Sequence, residues 1–151
     1  MLEQAFRTRI AVAYTDIDPA GLVYFGSYFY FLARAEDRFF PSTGQPLPEL
    51  EKEFNIKLLR KEIHCQYIQA ARYGDVLLAS IWLDEVSKAG ITYQFDIRRQ
   101  GAESPSAVGH VTLVSLSKDD LEEIQTPNEL LRVFEGVMST ARWRRPADEC
   151  G

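Results

Sequence analysis

Apolar and polar residues alternate at the start of the chain. Phe6, Ile10, Val12 and Tyr14 share one parity, and Arg7 and Arg9 take the other. A period of two marks a half-buried β-strand. This one is expected to run to Asp16, where Pro19-Ala20-Gly21 makes a turn. From Ser27 to Phe40 the period changes. Tyr28, Phe31, Leu32, Ala35 and Phe39 recur at helical spacing, while Arg34, Asp37 and Arg38 occupy the other face. Pro41 and Gly44 are stop signals. The apolar face of this helix is wide and aromatic, so something curved must enclose it.

The stretch Pro46 to Asn55 is polar and reads as a loop with a short helical turn. Four segments rich in Val, Ile, Leu, Tyr and Thr follow, near Ile56–Ala70, Asp75–Val86, Ile91–Arg99 and Ala107–Ser117. Turn signals at Tyr73-Gly74-Asp75, Ala89-Gly90 and Gly101–Pro105 separate them, the pattern of an antiparallel meander. Thr126-Pro127-Asn128-Glu129 reads as a capping box with Pro at the first helical position, opening a short helix to about Glu135. Strand, long helix, then a run of strands implies an α+β layer structure.

Composition narrows the class. The 151 residues are read as one domain over 1–151. The 46% of hydrophobic residues suffices for a core, and 26% charged residues argue against disorder. No apolar run approaches the roughly 20 residues that span a bilayer. Met1-Leu2-Glu3-Gln4 lacks the basic-then-apolar pattern of a signal peptide. The expectation is a cytoplasmic protein with no membrane partner. A net charge of −5 argues against nucleic acid as a partner. The basic run Arg142-Trp143-Arg144-Arg145 is read as a solvated tail. Two cysteines, Cys65 and Cys150, offer neither a structural disulfide nor metal spacing.

One stretch carries candidate chemistry: Asp16-Ile17-Asp18-Pro19-Ala20-Gly21-Leu22-Val23-Tyr24, followed by Phe25-Gly26-Ser27-Tyr28-Phe29-Tyr30-Phe31. It sets two carboxylates and a turn just before a helix. Free backbone N–H groups at a helix start polarise a carbonyl, and a nearby carboxylate can act as nucleophile or as base for water. Aspartate is equally a common turn and helix-start residue. Asp16 is read as structural, capping the turn or pairing with an arginine. His64 and His110 fall in strand segments and are read as structural, each with a satisfied hydrogen bond. There is no Gly-rich phosphate loop, serine nucleophile elbow or zinc spacing.

The element Asp16, Asp18, Gly21, Val23, Tyr24 resembles the Asp-x-Asp-x-x-Gly-x-Val-Tyr/Phe hallmark of hotdog-fold acyl-CoA thioesterases of the 4-hydroxybenzoyl-CoA thioesterase type. Ala70-Ala71-Arg72-Tyr73-Gly74-Asp75-Val76-Leu77 is similar to that family's Pro-Ala-x-x-Gly-Asp-x-Leu turn, with Ala70 in place of the proline. The resemblance spans about Phe6 to Val133. It implies a hotdog fold, one long helix wrapped by a curved antiparallel sheet of about five strands. It also implies hydrolysis of an acyl-CoA thioester without cofactor or metal, in a homodimer or homotetramer. Asp18 matches the catalytic Asp, and backbone N–H groups near Phe25 and Gly26 are the implied oxyanion donors. Tyr24, Phe25, Ser27 and Tyr28 would shape the acyl site. Lys88 in the Ser87-Lys88-Ala89-Gly90 turn falls where the family often bears basic residues that meet the CoA phosphates, with Arg72 and Arg60 behind it.

The sequence departs from the family at three positions. Phe25 replaces a frequent His, Ser27 a frequent Asn, and Ala33 a helix Glu found in one branch. Ser27 is small enough to cap the helix instead. Other readings are an acyl-carrier-protein substrate, or a non-catalytic acyl-CoA-binding module. A hotdog hydratase or dehydratase would need a His beside the helix.

Overall fold

The structure is a computed structural model that describes residues 5–140. Its elements are β1 (Phe6–Ala11), α1 (Ser27–Ser42), α2 (Leu47–Phe54), β2 (Ile56–Tyr67), β3 (Val76–Ser87), β4 (Gly90–Arg99), β5 (Ala107–Ser117), β6 (Glu123–Ile124) and α3 (Asn128–Thr140). All strand pairings are antiparallel, in the order β1-β3-β4-β5-β2, with the short β6 added to β5. The expected α+β hotdog arrangement is what forms.

Contacts of α1 show why the sheet wraps. Phe39 meets Phe6 of β1 edge-on at 5.8 Å, and Tyr28 meets Tyr67 of β2 at 5.4 Å. One helix thus touches both edge strands. Five strands about 4.8 Å apart span roughly 19 Å, about twice the width of a helix. A flat sheet could not bring both edges to it. The enclosed face carries Phe31 and Ala35, both fully buried, against Leu77 and Ile81 of β3 and Tyr93 and Ile97 of β4. Each Leu, Ile or Phe among them contributes about 1.5–3 kcal/mol by leaving water. Leu130 and Phe134 of α3 close one end, with Phe134 edge-on to Phe40.

Several elements differ from expectation. The first strand stops at Ala11, because the Asp16 carboxylate accepts the Ala13 N–H at 2.7 Å and folds Tyr14–Asp16 into a 3₁₀ turn. The segment after α1 is a two-turn helix that buries Leu50 completely and ends at Asn55 in the left-handed region. β2 ends at Tyr67, before Ala70, and α3 continues past Glu135. Met1–Gln4, Arg142–Arg145 and Cys150 lie outside the described residues.

β2 carries a bulge. Its register against β5 shifts between Arg60, opposite Leu113, and Glu62, opposite Thr112. Lys61 is the extra residue, and its ammonium reaches Glu123 of β6 at 2.7 Å. In an unbroken strand, Arg60 and Ile63 would point to opposite faces. The bulge turns both toward α1. No helix among the described residues is long and apolar enough to cross a membrane.

Candidate active site

The loop from Ala13 to Gly26 is built around its two aspartates. Asp16 is buried, and its Oδ1 lies 3.8 Å from Arg34 of α1. Its main-chain carbonyl accepts from Tyr24 N and from Ser27 Oγ, both at 2.9 Å. Asp18 is half-buried. Its Oδ1 accepts the Ala20 N–H at 2.9 Å and the Leu22 N–H at 3.3 Å, which holds the Pro19-Ala20-Gly21 turn closed. Gly21 has φ +81°, a conformation open to glycine at little cost. Among the described residues Asp18 Oδ2 receives no hydrogen bond.

The loop is tied to the turn before β3. Val23 N donates to Ala71 O at 2.8 Å, and Leu22 pairs with Arg72. Arg72 is exposed beside the Asp18 turn, and its N–H donates to Asp75 Oδ2 at 2.9 Å.

Helix α1 begins at Ser27 with Gly26 as its cap residue and no side-chain cap. Among the described residues, neither the Phe25 N–H nor the Gly26 N–H has an acceptor. Both belong to the positive end of the helix. Tyr24 and Phe25 are exposed, with ring centroids 4.4 Å apart. A Cβ on Gly26 would stand 2.7 Å from the Tyr24 ring, so glycine lets that ring lie across the helix start. The Tyr67 hydroxyl donates to the Phe25 carbonyl at 2.9 Å. Burial and the neighbouring Cys65 push the Tyr67 hydroxyl up to about 12, so it remains a donor at neutral pH. Burial also raises the Cys65 thiol.

Beyond this end, a cleft of about 180 Å³ runs between α1 and the β2 side of the sheet. Phe29, Ala33, Ile63 and Val111 line it, and Glu36, Arg60 and Tyr93 also border it. Glu36 is buried in α1; its Oε2 accepts from Arg60 Nε at 2.8 Å and from Nη2, and its Oε1 accepts from the Tyr93 hydroxyl. Hydrogen bonding to Glu36 raises the Arg60 guanidinium further, and burial holds the Tyr93 hydroxyl neutral.

The expected site residues divide. Tyr24, Phe25 and Gly26 sit at the start of α1, and Asp18 sits on the loop before it, bonded to Ala20 and Leu22. Ser27 is buried with its hydroxyl on Asp16, so it anchors the loop; the cap position belongs to Gly26. Tyr28 is buried against Phe31 and Tyr67, beneath the site. Lys88 follows Ser87 at the far end of β3, whereas the Asp18 loop joins the chain before Val76. Arg60 is engaged by Glu36, and Arg72 lies exposed beside the loop. His64 and His110 face each other across β2 and β5, with rings stacked at 5.3 Å and His110 Nε2 at 3.7 Å from Glu62. By alternation with Ile63 and Val111 they lie on the face away from α1. The Glu36–Arg60–Tyr93 cluster was not anticipated.

Residues 12–134 match the family model of the thioesterase-like superfamily. The chain belongs to that superfamily. The chain is similar to the acyl-CoA thioesterase YbgC of Haemophilus influenzae, 26% identical over 134 residues, covering 89% of this chain and 97% of that protein. Among solved structures, a DHNA-CoA thioesterase from Staphylococcus aureus superposes with a TM-score of 0.79 at 18% identity, covering 91% of each chain. A mutant 4-hydroxybenzoyl CoA thioesterase complexed with 4-hydroxybenzoyl CoA superposes with a TM-score of 0.76 at 19% identity, covering 86% of this chain and 98% of that one. The superfamily assignment makes this protein a thioester hydrolase, and the two superpositions show the same fold.

Proposed function

We propose that this protein hydrolyses acyl-CoA thioesters, with Asp18 as the reacting carboxylate and the Phe25 and Gly26 N–H groups as oxyanion donors. The observation that carries the reading is that one loop holds a carboxylate oxygen without a partner and two helix-start N–H groups without acceptors among the described residues. The names of the Haemophilus influenzae relative and of the two structural neighbours support CoA as the thiol carrier.

The chemistry follows from these parts. A thioester oxygen lying against the two N–H groups gains stabilisation as it becomes an oxyanion. Asp18 as base removes a proton from water, water's oxygen bonds to the carbonyl carbon, the carbon–sulfur bond breaks, and the proton passes to the thiolate. As nucleophile, its oxygen bonds to that carbon first, the thiolate leaves, and water cleaves the resulting mixed anhydride. The exposed Tyr24 and Phe25 rings give an apolar entrance suited to an aryl or short-to-medium acyl group. Arg72 is positioned to meet CoA phosphates.

Among the described residues, the outer edge of β2, Ile56–Tyr67, is unpaired in the sheet order. A free edge of twelve residues invites pairing with a second copy. A homodimer through β2, able to associate into a tetramer, is therefore part of this reading. Thiol release from a panel of acyl-CoA and acyl-carrier-protein thioesters tests the activity, and light scattering tests the assembly. Tight binding of every ester with release from none would replace the hydrolase reading with a binding module.

A further inference from the structure

The last residue of β4 breaks the pattern of its strand. Ile91, Tyr93, Phe95 and Ile97 are buried in the core, and alternation places Arg99 on the same face. Arg99 lies beside the crossover from β2 to β3. It pairs with Leu77, Gln100 N donates to Val76 O at 2.8 Å, and Arg99 Nη2 reaches Gln69 Oε1 at 3.5 Å. The neighbouring Arg98 gives Nε and Nη2 to Asp96. Arg99, by contrast, forms no ion pair among the described residues. Its Nε is buried and has no hydrogen-bond partner among them. We infer that Arg99, together with Arg72, binds a phosphate of the substrate's thiol carrier, and that this is the 4′-phosphate ending the pantetheine arm. The inference rests on the acyl-CoA reading above and deepens it.

Charge and donor geometry select the ligand. A partly buried cation without a counter-ion is costly, and an arriving anion relieves that cost. The contact to Gln69 is longer than an ordinary hydrogen bond, so it holds the guanidinium weakly. A planar fork of N–H donors matches phosphate oxygens in pairs. The crossover carries the exposed Arg72 between Gln69 and Leu77, the two residues that bracket Arg99. The carboxylate of the crossover, Asp75, turns its Oδ2 back onto the Arg72 N–H. Two guanidiniums therefore serve this end of the sheet, a charge suited to a phosphate dianion.

Distance selects which phosphate. Asp18 N donates to Leu22 O, and Leu22 pairs with Arg72. Three neighbouring segments about 4.8 Å apart set the Arg72 backbone roughly 10 Å from that of Asp18, and the arginine side chain reaches several Å farther. From the thioester sulfur to the 4′-phosphorus the pantetheine arm has about thirteen bonds, roughly 15 Å when extended. The 3′-phosphate of CoA lies a diphosphate and a ribose beyond. CoA and an acyl-carrier protein both present the 4′-phosphate, so the contact reads the part that they share.

The test uses octanoyl esters of pantetheine, 4′-phosphopantetheine, dephospho-CoA, CoA and holo acyl-carrier protein, with KM on the wild-type protein and Kd on Asp18→Asn. Adding the 4′-phosphate to pantetheine should lower both constants about tenfold or more, the scale of a hydrogen bond to a charged group. Arg99→Gln should bring that ratio toward one, and Arg99→Lys should restore part of it. Loss on Arg99→Gln for the CoA ester, the carrier-protein ester or both supports the inference and names the source of the phosphate. In the wild-type protein, the Arg99 Nε–H signal in a ¹⁵N spectrum should move on adding 4′-phosphopantetheine and stay in place on adding pantetheine, a reading that needs no variant to fold. An unmoved signal, equal constants with and without the 4′-phosphate, or a gain confined to the step from dephospho-CoA to CoA overturns the inference and leaves the hydrolase reading standing. Phosphate-dependent binding that Arg99→Gln removes, without hydrolysis of any ester, upholds the inference and ends the hydrolase reading.

Discussion

The Tyr67 hydroxyl and the Phe25 carbonyl are 2.9 Å apart, and that carbonyl shares a peptide plane with the Gly26 N–H. A side chain at the end of β2 therefore sets the direction of a backbone donor at the start of α1. Tyr67→Phe removes the hydrogen bond and keeps the ring against Tyr28. It should lower kcat several-fold with little change in KM, and cost about 1 kcal/mol of stability, the usual net worth of one hydrogen bond. Steady-state kinetics and denaturant melts read the two effects separately.

Asp18→Asn preserves an oxygen for the Ala20 and Leu22 N–H groups while removing the charge. Turnover should fall about a hundredfold or more, the scale of losing an acid–base or nucleophilic group. The melting temperature should stay near that of the parent. Near-normal turnover would remove Asp18 from the chemistry. Label in the Asp18 carboxylate after a single turnover of the parent protein in ¹⁸O-water would identify it as the nucleophile, with water opening the anhydride at the Asp18 carbon.

Asp16 carries a different consequence. Asp16→Ala strands the Ala13 N–H and the Arg34 charge, and should cost about 1–3 kcal/mol by denaturant titration, with partial activity retained. Asp16→Asn keeps an acceptor for Ala13 and should cost less.

Recognition of the nucleotide end should follow position along β3. Arg72→Ala is expected to raise KM for a CoA ester more than Lys88→Ala does. The Arg72 effect should shrink for a pantetheine thioester, which has no nucleotide phosphates. Equal Arg72 effects on both esters would assign that residue to loop structure.

Alkaline pH should weaken the fold through its tyrosines. Tyr67 is pushed up to about 12 and Tyr93 is raised by burial and by the Glu36 carboxylate, against an unfolded value near 10. The folded state therefore keeps protons that the unfolded state loses, so stability is full below about pH 10 and declines as pH rises toward 12. Melts across that range should show the decline, and Tyr67→Phe should flatten part of it.

Most of the helix-start site was legible because its parts are close in sequence. A carboxylate, a turn and a helix boundary within eleven residues, Asp16 to Gly26, leave a local signature. The same holds for the faces of α1, whose buried residues follow the helical period. The Glu36–Arg60 pair was hidden for two reasons. It joins residues 24 apart, and it depends on the bulge at Lys61, which no alternation pattern announces. Asp16 was readable as a structural residue, but not as an acceptor for both Tyr24 and Ser27.

Those contacts of Asp16 close the loop upon itself. One residue grips the backbone on its N-terminal side through its carboxylate and on its C-terminal side through its carbonyl. The segment that bears Asp18 is thus held by contacts within the chain itself. Fixing a residue's backbone costs on the order of 1 kcal/mol in conformational entropy. Here that cost falls on folding, and an arriving thioester meets a rigid template whose affinity is not reduced by having to organise it.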